Sequence, residues 1–195
     1  MLWEDSAVTE TAKATYHHGD LRASLLDATL ALLAEGQEPS LRAVARRANV
    51  SPMAPYRHYP DKEALLTAVA LRGIEALHKA VSTADRAAPA GQGALAQALA
   101  YVRYAAEHPV LFRLMFGPMR PRAGDAICDA SQAVKDVLLH RLAIEMPDRF
   151  SPELATGCWA LVHGLAMLVI DGLLVETDPL DGLVERTVLA MLGKA

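Results

Sequence analysis

The apolar residues between positions 41 and 48 recur at spacings of three and four, which places them on one face of a short helix. Ser40 precedes this helix as a good N-cap, and Asn49 follows it as a residue that tolerates left-handed geometry. Ser51 then caps a second short helix with Pro52 at its first position, where a missing N–H costs nothing. Two helices joined by such a short turn predict a helix-turn-helix unit.

The same helical periodicity continues on both sides of this unit, and no alternating β-pattern of useful length occurs. We therefore expect an all-α chain of about nine helices, with an N-terminal three-helix helix-turn-helix domain followed by a C-terminal helical domain. The expected boundaries are 1–15 for a mobile N-terminal tail, 16–80 for the helix-turn-helix domain with its connecting helix, and 81–195 for the C-terminal domain. Outside the unit, the helices are expected at about 20–35, 61–81, 95–106, 110–116, 126–144, 152–175 and 179–193.

The predicted helix at 152–175 carries no charge from Leu154 to Ile170. Such a helix either crosses a membrane, for which about 20 apolar residues are needed, or is buried on every side. Glycines at intervals of seven and eight favour burial, because small residues let another helix approach closely. With the apolar stripe of the last helix, they predict a four-helix interface between two copies of the chain. The interface candidates are Gly157, Gly164, Gly172, Leu180, Leu183, Val184, Val188 and Met191.

The side chains outside the apolar face of the helix-turn-helix unit are of types that contact DNA. In a major groove, arginine donates to guanine and methyl-bearing side chains meet thymine. Lys62 lies in the first turn of the next helix, where free N–H groups and the positive dipole suit a phosphate. From these residues alone, an ordinary helical hairpin with solvated arginines is the alternative. The DNA-binding candidates are Arg42, Ser51, Met53, Ala54, Tyr56, Arg57, His58 and Lys62.

Pro55 falls at about the fourth position of the second helix, which would be the recognition helix. A proline there removes one early helical hydrogen bond and disfavours helical geometry at Ala54. We therefore expect this helix to begin late or as a tight turn. Which of Met53, Ala54 and Arg57 reaches a base stays open, with Ala54 a position of close approach.

The formal net charge of −4 excludes a chain coated with basic patches. Residues 13–62 nevertheless carry seven Lys or Arg against five Asp or Glu, whereas residues 63–195 carry twelve against fifteen. The positive surface that nucleic acid requires is therefore confined to the N-terminal part of the chain, with a neutral to acidic body behind it.

Residues with catalytic or metal-binding chemistry are scattered along the sequence. Cys128 and Cys158 lack metal-ligand spacing and fit buried thiols in a reducing cytoplasm, with a redox-sensing disulfide as the alternative. The sequence contains no Gly-rich phosphate loop and no nucleophile elbow, and its acidic start is unlike a signal peptide. We expect no cofactor, no bound metal, no enzymatic activity, no membrane partner and a cytoplasmic location.

Two motifs resemble those of one known family. The segments Val50–Ser51 and Tyr56–Leu66 (YRHYPDKEALL) resemble the DNA-binding domain of TetR-family transcriptional regulators. Near the other end, Trp159 followed by His163 and Gly164 resembles the Trp-His-Gly (WHG) signature of one C-terminal domain type in that family. The resemblance implies a homodimer, a double-stranded DNA operator, and a C-terminal regulatory and dimerisation domain that binds a small-molecule effector.

Regulators of this family usually hold their ligand between central helices, which makes flat and flexible apolar residues candidates, although core packing also accounts for them. Trp159, His163 and Met167 share a helix face, and Phe112 and Phe116 could form the opposite wall. Such walls suit a mostly apolar ligand with one or two polar atoms. His163 is either a ligand contact or a buried histidine satisfied by a neighbouring carbonyl. The ligand-binding candidates are Phe112, Met115, Phe116, Trp159, His163 and Met167.

The combined expectation is a homodimeric repressor that leaves a palindromic operator when it binds a small hydrophobic effector. One alternative is a ligand-independent architectural DNA-binding protein, which would show little sequence preference. The other is a helical enzyme that uses His163 together with acidic residues in the pocket.

Overall fold

The computed structural model describes residues 18–117, 125–174 and 179–193, which form eight α-helices and one 3-10 turn and contain no strand. This confirms the all-α prediction, with the expected recognition helix reduced to the 3-10 turn. The predicted tail at 1–15 lies outside the described residues. The helices are α1 His18–Ala34, α2 Leu41–Arg47, α3 Lys62–Ala87, α4 Gly93–Glu107, α5 Pro109–Phe116, α6 Asp125–Glu145, α7 Pro152–Ile170 and α8 Leu180–Leu192, and the 3-10 turn is Pro55–Arg57.

The ends of α2 follow from its capping residues. The Ser40 hydroxyl oxygen accepts a hydrogen bond from the Ala43 N–H at 3.1 Å. Asn49, just beyond the helix, adopts a φ of 54°, the left-handed geometry expected of it. Leu41 and Val44 are buried, so α2 packs its apolar face against α1 and keeps its arginines outside.

Helix α3 has 26 residues, and at 1.5 Å per residue it is about 39 Å long. The Asp61 carboxylate caps its start by accepting the Ala64 N–H at 2.8 Å. At its other end the helix continues past the predicted limit near Val81 to Ala87. It packs against α1 at one end of the molecule and against α4, α5 and α6 along the rest of its length.

The apolar core runs without interruption through the molecule, because α3 contributes to it from Leu65 to Val81 and α4 from Ala94 to Ala105. The side chains of Leu25, Val69, Ile74, Val102 and Leu142, which come from four different helices, have no exposed surface. The N-terminal helices and the C-terminal helices are therefore packed on one shared core.

The last turn of α3 is held by a polar network around Asp85. Arg141 donates two hydrogen bonds to the Asp85 carboxylate, at 2.7 and 2.8 Å, and the Gln97 amide donates a third at 2.7 Å. The Arg141 guanidinium holds the pKa of Asp85 below its usual range. These bonds to α4 and α6 explain why α3 extends beyond Val81, where its apolar pattern weakens.

We expect Arg141→Met to lower the free energy of unfolding by about 1.5–3 kcal/mol at pH 7, because it removes charge-assisted hydrogen bonds. The pKa of Asp85 is lowered in the folded state, so the contribution of the pair is complete above the ordinary pKa of Asp and is lost as the pH falls through the folded value. Urea unfolding between pH 7 and pH 3 measures this. The exposed Arg86→Met is the matched control, and a deficit for Arg141→Met that persists undiminished at the acid end would contradict the assignment.

Candidate DNA-binding surface and ligand cavity

A surface groove lies between α2 and residues 52–58, which we call the recognition segment. Arg42 and Arg46, one turn apart on α2, line one side, and Pro52, Met53 and Tyr56 line the other. Met53 is 65% exposed and Tyr56 is 42% exposed, which is unusual for side chains of their size. The groove therefore presents guanidinium, thioether and phenol groups to solvent together.

Pro55 determines the shape of the recognition segment. The Ala54 N–H donates to the Ser51 carbonyl at 2.9 Å and the Arg57 N–H donates to the Ala54 carbonyl at 3.2 Å, so the hydrogen bonds span three residues. The expectation of a tight turn is thus confirmed. Ala54 itself adopts helical geometry, with φ −61° and ψ −45°, so the expected departure from helical angles at this residue is wrong.

Ala54, which the sequence analysis gave as a position of close approach to DNA, is almost fully buried, so its DNA contact stays a prediction. Only 8% of its surface is exposed, and Pro55 beside it is buried as well. The turn directs both residues toward the interior, where they anchor the segment. Ser51 and Arg57 are exposed, whereas the ring of His58 is half-buried.

The ammonium group of Lys62 is paired with the carboxylate of Glu38. Lys62 holds the pKa of Glu38 below its usual range, and the Asp61 carboxylate already occupies part of the α3 N-terminus. A phosphate at this position therefore competes with Glu38 for the Lys62 ammonium. The sequence analysis missed this ion pair because Glu38 precedes α2 and Lys62 begins α3, and helical spacing relates only residues of one helix.

The arginines in and beside the groove differ from Lys62 and from one another in whether they form ion pairs. Arg47 pairs with Glu35 at 2.7 Å, but no ion pair involves Arg42, Arg46 or Arg57 within the described residues. Arg46 was missing from the predicted site. Its spacing of four from Arg42 on an amphipathic helix is the signal that could have identified it.

Five rings meet in the C-terminal part of the chain. His163 stacks on Trp159 with ring centroids 5.5 Å apart, and it contacts Phe112 at 5.6 Å and Phe116 at 5.3 Å. The Tyr101 hydroxyl lies 3.0 Å from His163 Nδ1. The two predicted walls thus face each other, but their rings are in contact and fill the space between them.

This arrangement makes most of the predicted ligand-binding residues part of the packed interior. Phe112 and Met115 have no exposed surface, and Met167 packs on the core from its edge. His163 is satisfied by the Tyr101 hydroxyl instead of a carbonyl. Burial lowers the pKa of His163, so the imidazole is neutral at pH 7.

An open cavity lies on the other side of Trp159, and we call it the C-terminal cleft. It has a volume of about 580 Å³ including its mouth and is bounded by α4, α6, α7, α8 and the end of α3. Trp159 is the one predicted ligand-binding residue that lines it. Tyr101, Gln97 and Lys135 also line it; they were missed because no periodicity relates residues on different helices.

The predicted interface residues divide into two groups. Val184 and Val188 are 1% and 5% exposed within a single protomer, so they belong to its own core and their prediction as interface residues is wrong. Helix α7 ends at Ile170, before the predicted 175, and Gly172 beyond it has a φ of +64°. This backbone conformation accounts for a glycine at position 172 without a close contact to another helix. A side chain at Gly157 would meet Met191 of the same protomer at 3.5 Å.

The other interface candidates remain available at the surface. A side chain at Gly164 would have no neighbour within 4 Å, Met191 is 40% exposed, and Leu180 and Leu183 are partly buried. Leu168, four residues after Gly164, is also exposed.

Helix α7 is long and apolar enough to cross a membrane by length and composition, but core helices of soluble proteins pass the same test. Of its most apolar window, 22% is buried inside the protomer.

The described residues contain no group of three or more His, Cys, Asp or Glu that could hold a metal ion. Cys128 and Cys158 are both free thiols. Cys128 is exposed and Cys158 is buried, and burial raises the pKa of the Cys158 thiol. A raised pKa reduces the thiolate fraction and hence the reactivity of Cys158.

Two family models match separate stretches of the chain. The model for "Tetracyclin repressor-like, C-terminal domain" matches residues 94–191, and the model for "Bacterial regulatory proteins, tetR family" matches residues 25–69. No curated protein matches the chain. The Trp-His-Gly subtype stays a prediction.

Solved structures show the same fold. A protein of unknown function from Rhodococcus sp. RHA1 is 31% identical, with 92% of this chain and 97% of that chain covered and a TM-score of 0.79. A TetR-family transcription regulator from Marinobacter aquaeolei VT8 is 21% identical, with 88% and 94% covered and a TM-score of 0.68. The regulator FadR from Bacillus subtilis, in complex with stearoyl-CoA, is 12% identical, with 89% and 98% covered and a TM-score of 0.71. The chain therefore belongs to the TetR family of bacterial DNA-binding transcriptional regulators, which are not enzymes.

Proposed function

We propose that this regulator is a homodimeric repressor, that it binds a palindromic operator through the groove beside α2, and that a small apolar effector in the C-terminal cleft releases it. The exposed groove of Arg42, Arg46, Pro52, Met53 and Tyr56 carries this proposal. Its side chains supply the donors and apolar groups that read base edges, and few acids compete for its arginines.

Contacts to bases and to the backbone come from different parts of this surface. Arg42 and Met53 are suited to base edges, because a guanidinium donates to guanine and a thioether methyl meets the methyl group of thymine. Lys62 and Tyr56 are suited to phosphates, which set the register on the duplex without reading sequence. The 3-10 turn projects Met53 and Tyr56 from a segment anchored by buried Ala54 and Pro55.

A dimer formed through α7 and α8 follows from their exposed apolar surface. Ala160, Gly164 and Leu168 are spaced four apart, so they form one stripe on α7, and the open position at Gly164 allows a partner helix to come close. A two-fold axis beside this stripe presents two recognition segments to half-sites about 34 Å apart or a multiple of it.

Release by an effector requires the ligand to favour one separation of the recognition segments over another. Helix α3 joins the two regions, since Lys62 at its start follows the recognition segment in the chain and Val81 near its end lines the cleft. A ligand that displaces Val81 therefore displaces α3, whose other end carries Lys62. FadR from Bacillus subtilis, which shares the fold, was solved in complex with stearoyl-CoA, which supports a ligand response in this chain.

We expect Arg42→Ala and Arg46→Ala each to weaken operator binding by about 1–3 kcal/mol, and a variant that loses a base contact also relaxes one operator position. Selection of bound sequences from a random pool, followed by fluorescence anisotropy, measures both effects. Arg86→Ala, on the exposed end of α3, is the control. If the double variant Arg42→Ala/Arg46→Ala binds the operator as wild type does, the groove is not the DNA-binding surface. If the wild-type protein itself binds DNA without sequence preference, it is an architectural DNA-binding protein and not a repressor.

Lys62→Ala is expected to weaken binding to all duplexes alike and to lower the slope of log K against log salt by about one unit, because one phosphate contact is lost. At low salt, Glu38→Gln is expected to strengthen binding to all duplexes, because it frees the Lys62 ammonium for the phosphate. The phosphate role of Lys62 is wrong if Lys62→Ala changes base preference and leaves the salt slope intact.

The dimer surface is tested by Gly164→Glu and Leu168→Asp. A side chain at Gly164 meets nothing in its own protomer, so circular dichroism should show an intact helical fold, while sedimentation should show a monomer because a charge is buried against the partner. Ala143→Glu, on the exposed side of α6, is the matched control. A dimer that survives both α7 variants would remove this stripe from the interface.

A further inference from the structure

The C-terminal cleft is lined mostly by apolar side chains and carries one cation. The Nζ atom of Lys135 lies over the Trp159 ring, 4.6 Å from its centroid, and both residues line the cleft. Most of the other lining side chains are Leu, Val, Ala and Met. A lysine in this position is attracted by the indole face, but that attraction is worth only about 0.5–1 kcal/mol at an exposed site.

No carboxylate pairs with Lys135 within the described residues. Two acids near the cleft are already engaged elsewhere. Asp85 accepts hydrogen bonds from Arg141 and Gln97, and Glu145 accepts the Gly93 N–H at 2.6 Å. The cleft therefore combines an apolar wall with a single uncompensated positive charge, and that charge is held in place by the Trp159 ring.

The apolar wall and the single ammonium together favour a ligand with one negative charge. A cation is repelled by Lys135, and a molecule with several negative charges finds only one partner in an otherwise apolar space. A neutral ligand gains burial but leaves the ammonium unpaired. A ligand with one carboxylate gains both burial and a charge-assisted hydrogen bond.

We infer that the C-terminal cleft binds a small amphipathic monocarboxylate, with its carboxylate on Lys135 Nζ and its hydrocarbon or aromatic body among the apolar side chains of α4, α6 and α8. The enclosed space of the cleft is only about 50 Å³, below the roughly 300–1,000 Å³ of typical small-molecule sites, so the body of the ligand extends along the apolar wall into the open mouth of the cleft. The inference rests on the proposed effector response and specifies the class of molecule that produces it.

The test uses two pairs of probes that differ only in charge: 4-phenylbutyrate with its primary amide, and octanoate with its primary amide. The background variant Trp3→Phe leaves Trp159 as the single indole of the chain, so its fluorescence reports the cleft, and calorimetry provides an independent affinity. We expect each acid to bind about tenfold or more tightly than its amide, because it adds a charge-assisted hydrogen bond.

Lys135→Met keeps the apolar stem and removes the charge, so it should abolish the preference for the acid while leaving amide binding unchanged. Lys135→Arg should retain the preference. Lys79→Met, an exposed lysine of α3 that does not line the cleft, is the matched control and should behave as the background does.

The inference is overturned if the amides bind as tightly as the acids, if Lys135→Met keeps the preference, or if no acid or amide binds at millimolar concentration. The operator complex separates this result from the proposed function. If neutral apolar compounds release the operator and acids do not, the response stands and the ligand class is wrong. If acids bind in a Lys135-dependent way without affecting the operator complex, the ligand class stands and the proposed release mechanism is wrong.

Discussion

The packing of α3 is the constraint on which the remaining structure depends. Its first turn, capped by Asp61, follows the recognition segment, its middle is buried in the shared core, and its last turn is fixed by Asp85. A helix gains most of its stability from the surface it buries, so α3 cannot move at one end without disturbing contacts at the other. Its length of about 39 Å allows a regulator with separate DNA and ligand sites to couple them through one element.

The second constraint comes from Pro55, which replaces a regular recognition helix by a 3-10 turn. Buried Ala54 and Pro55 fix the segment to the body of the protein, and exposed Met53 and Tyr56 project from it. In a 3-10 turn the side chains are spaced differently from those of an α-helix. Contacts inferred by counting along an ideal helix therefore do not apply to this segment, and the proposed surface includes the α2 arginines beside the turn.

The fold was predictable from the sequence to the extent that local signals specify it. The cap at Ser40, the left-handed Asn49 and the proline-induced turn all depend on neighbours in the chain. The pairing of Lys62 with Glu38 and the filling of the space around His163 depend instead on how distant helices meet, which periodicity does not record. Apolar residues predicted to line a pocket were for this reason mostly core, and the lysine in the actual cleft was overlooked.

Trp159 is the residue at which the cleft and the core meet. Its indole lines the cleft beneath Lys135 and also stacks on His163, which contacts Phe112 and Phe116 of α5. Helix α5 packs in turn on α1 and α3, and α1 packs on α2, which contacts the 3-10 turn. Because packed rings leave no free volume between them, a ligand that shifts the indole must displace the imidazole and the α5 phenyl rings. In the proposed response, this chain of contacts would give the cleft a second route to the recognition segment, independent of direct pressure on Val81.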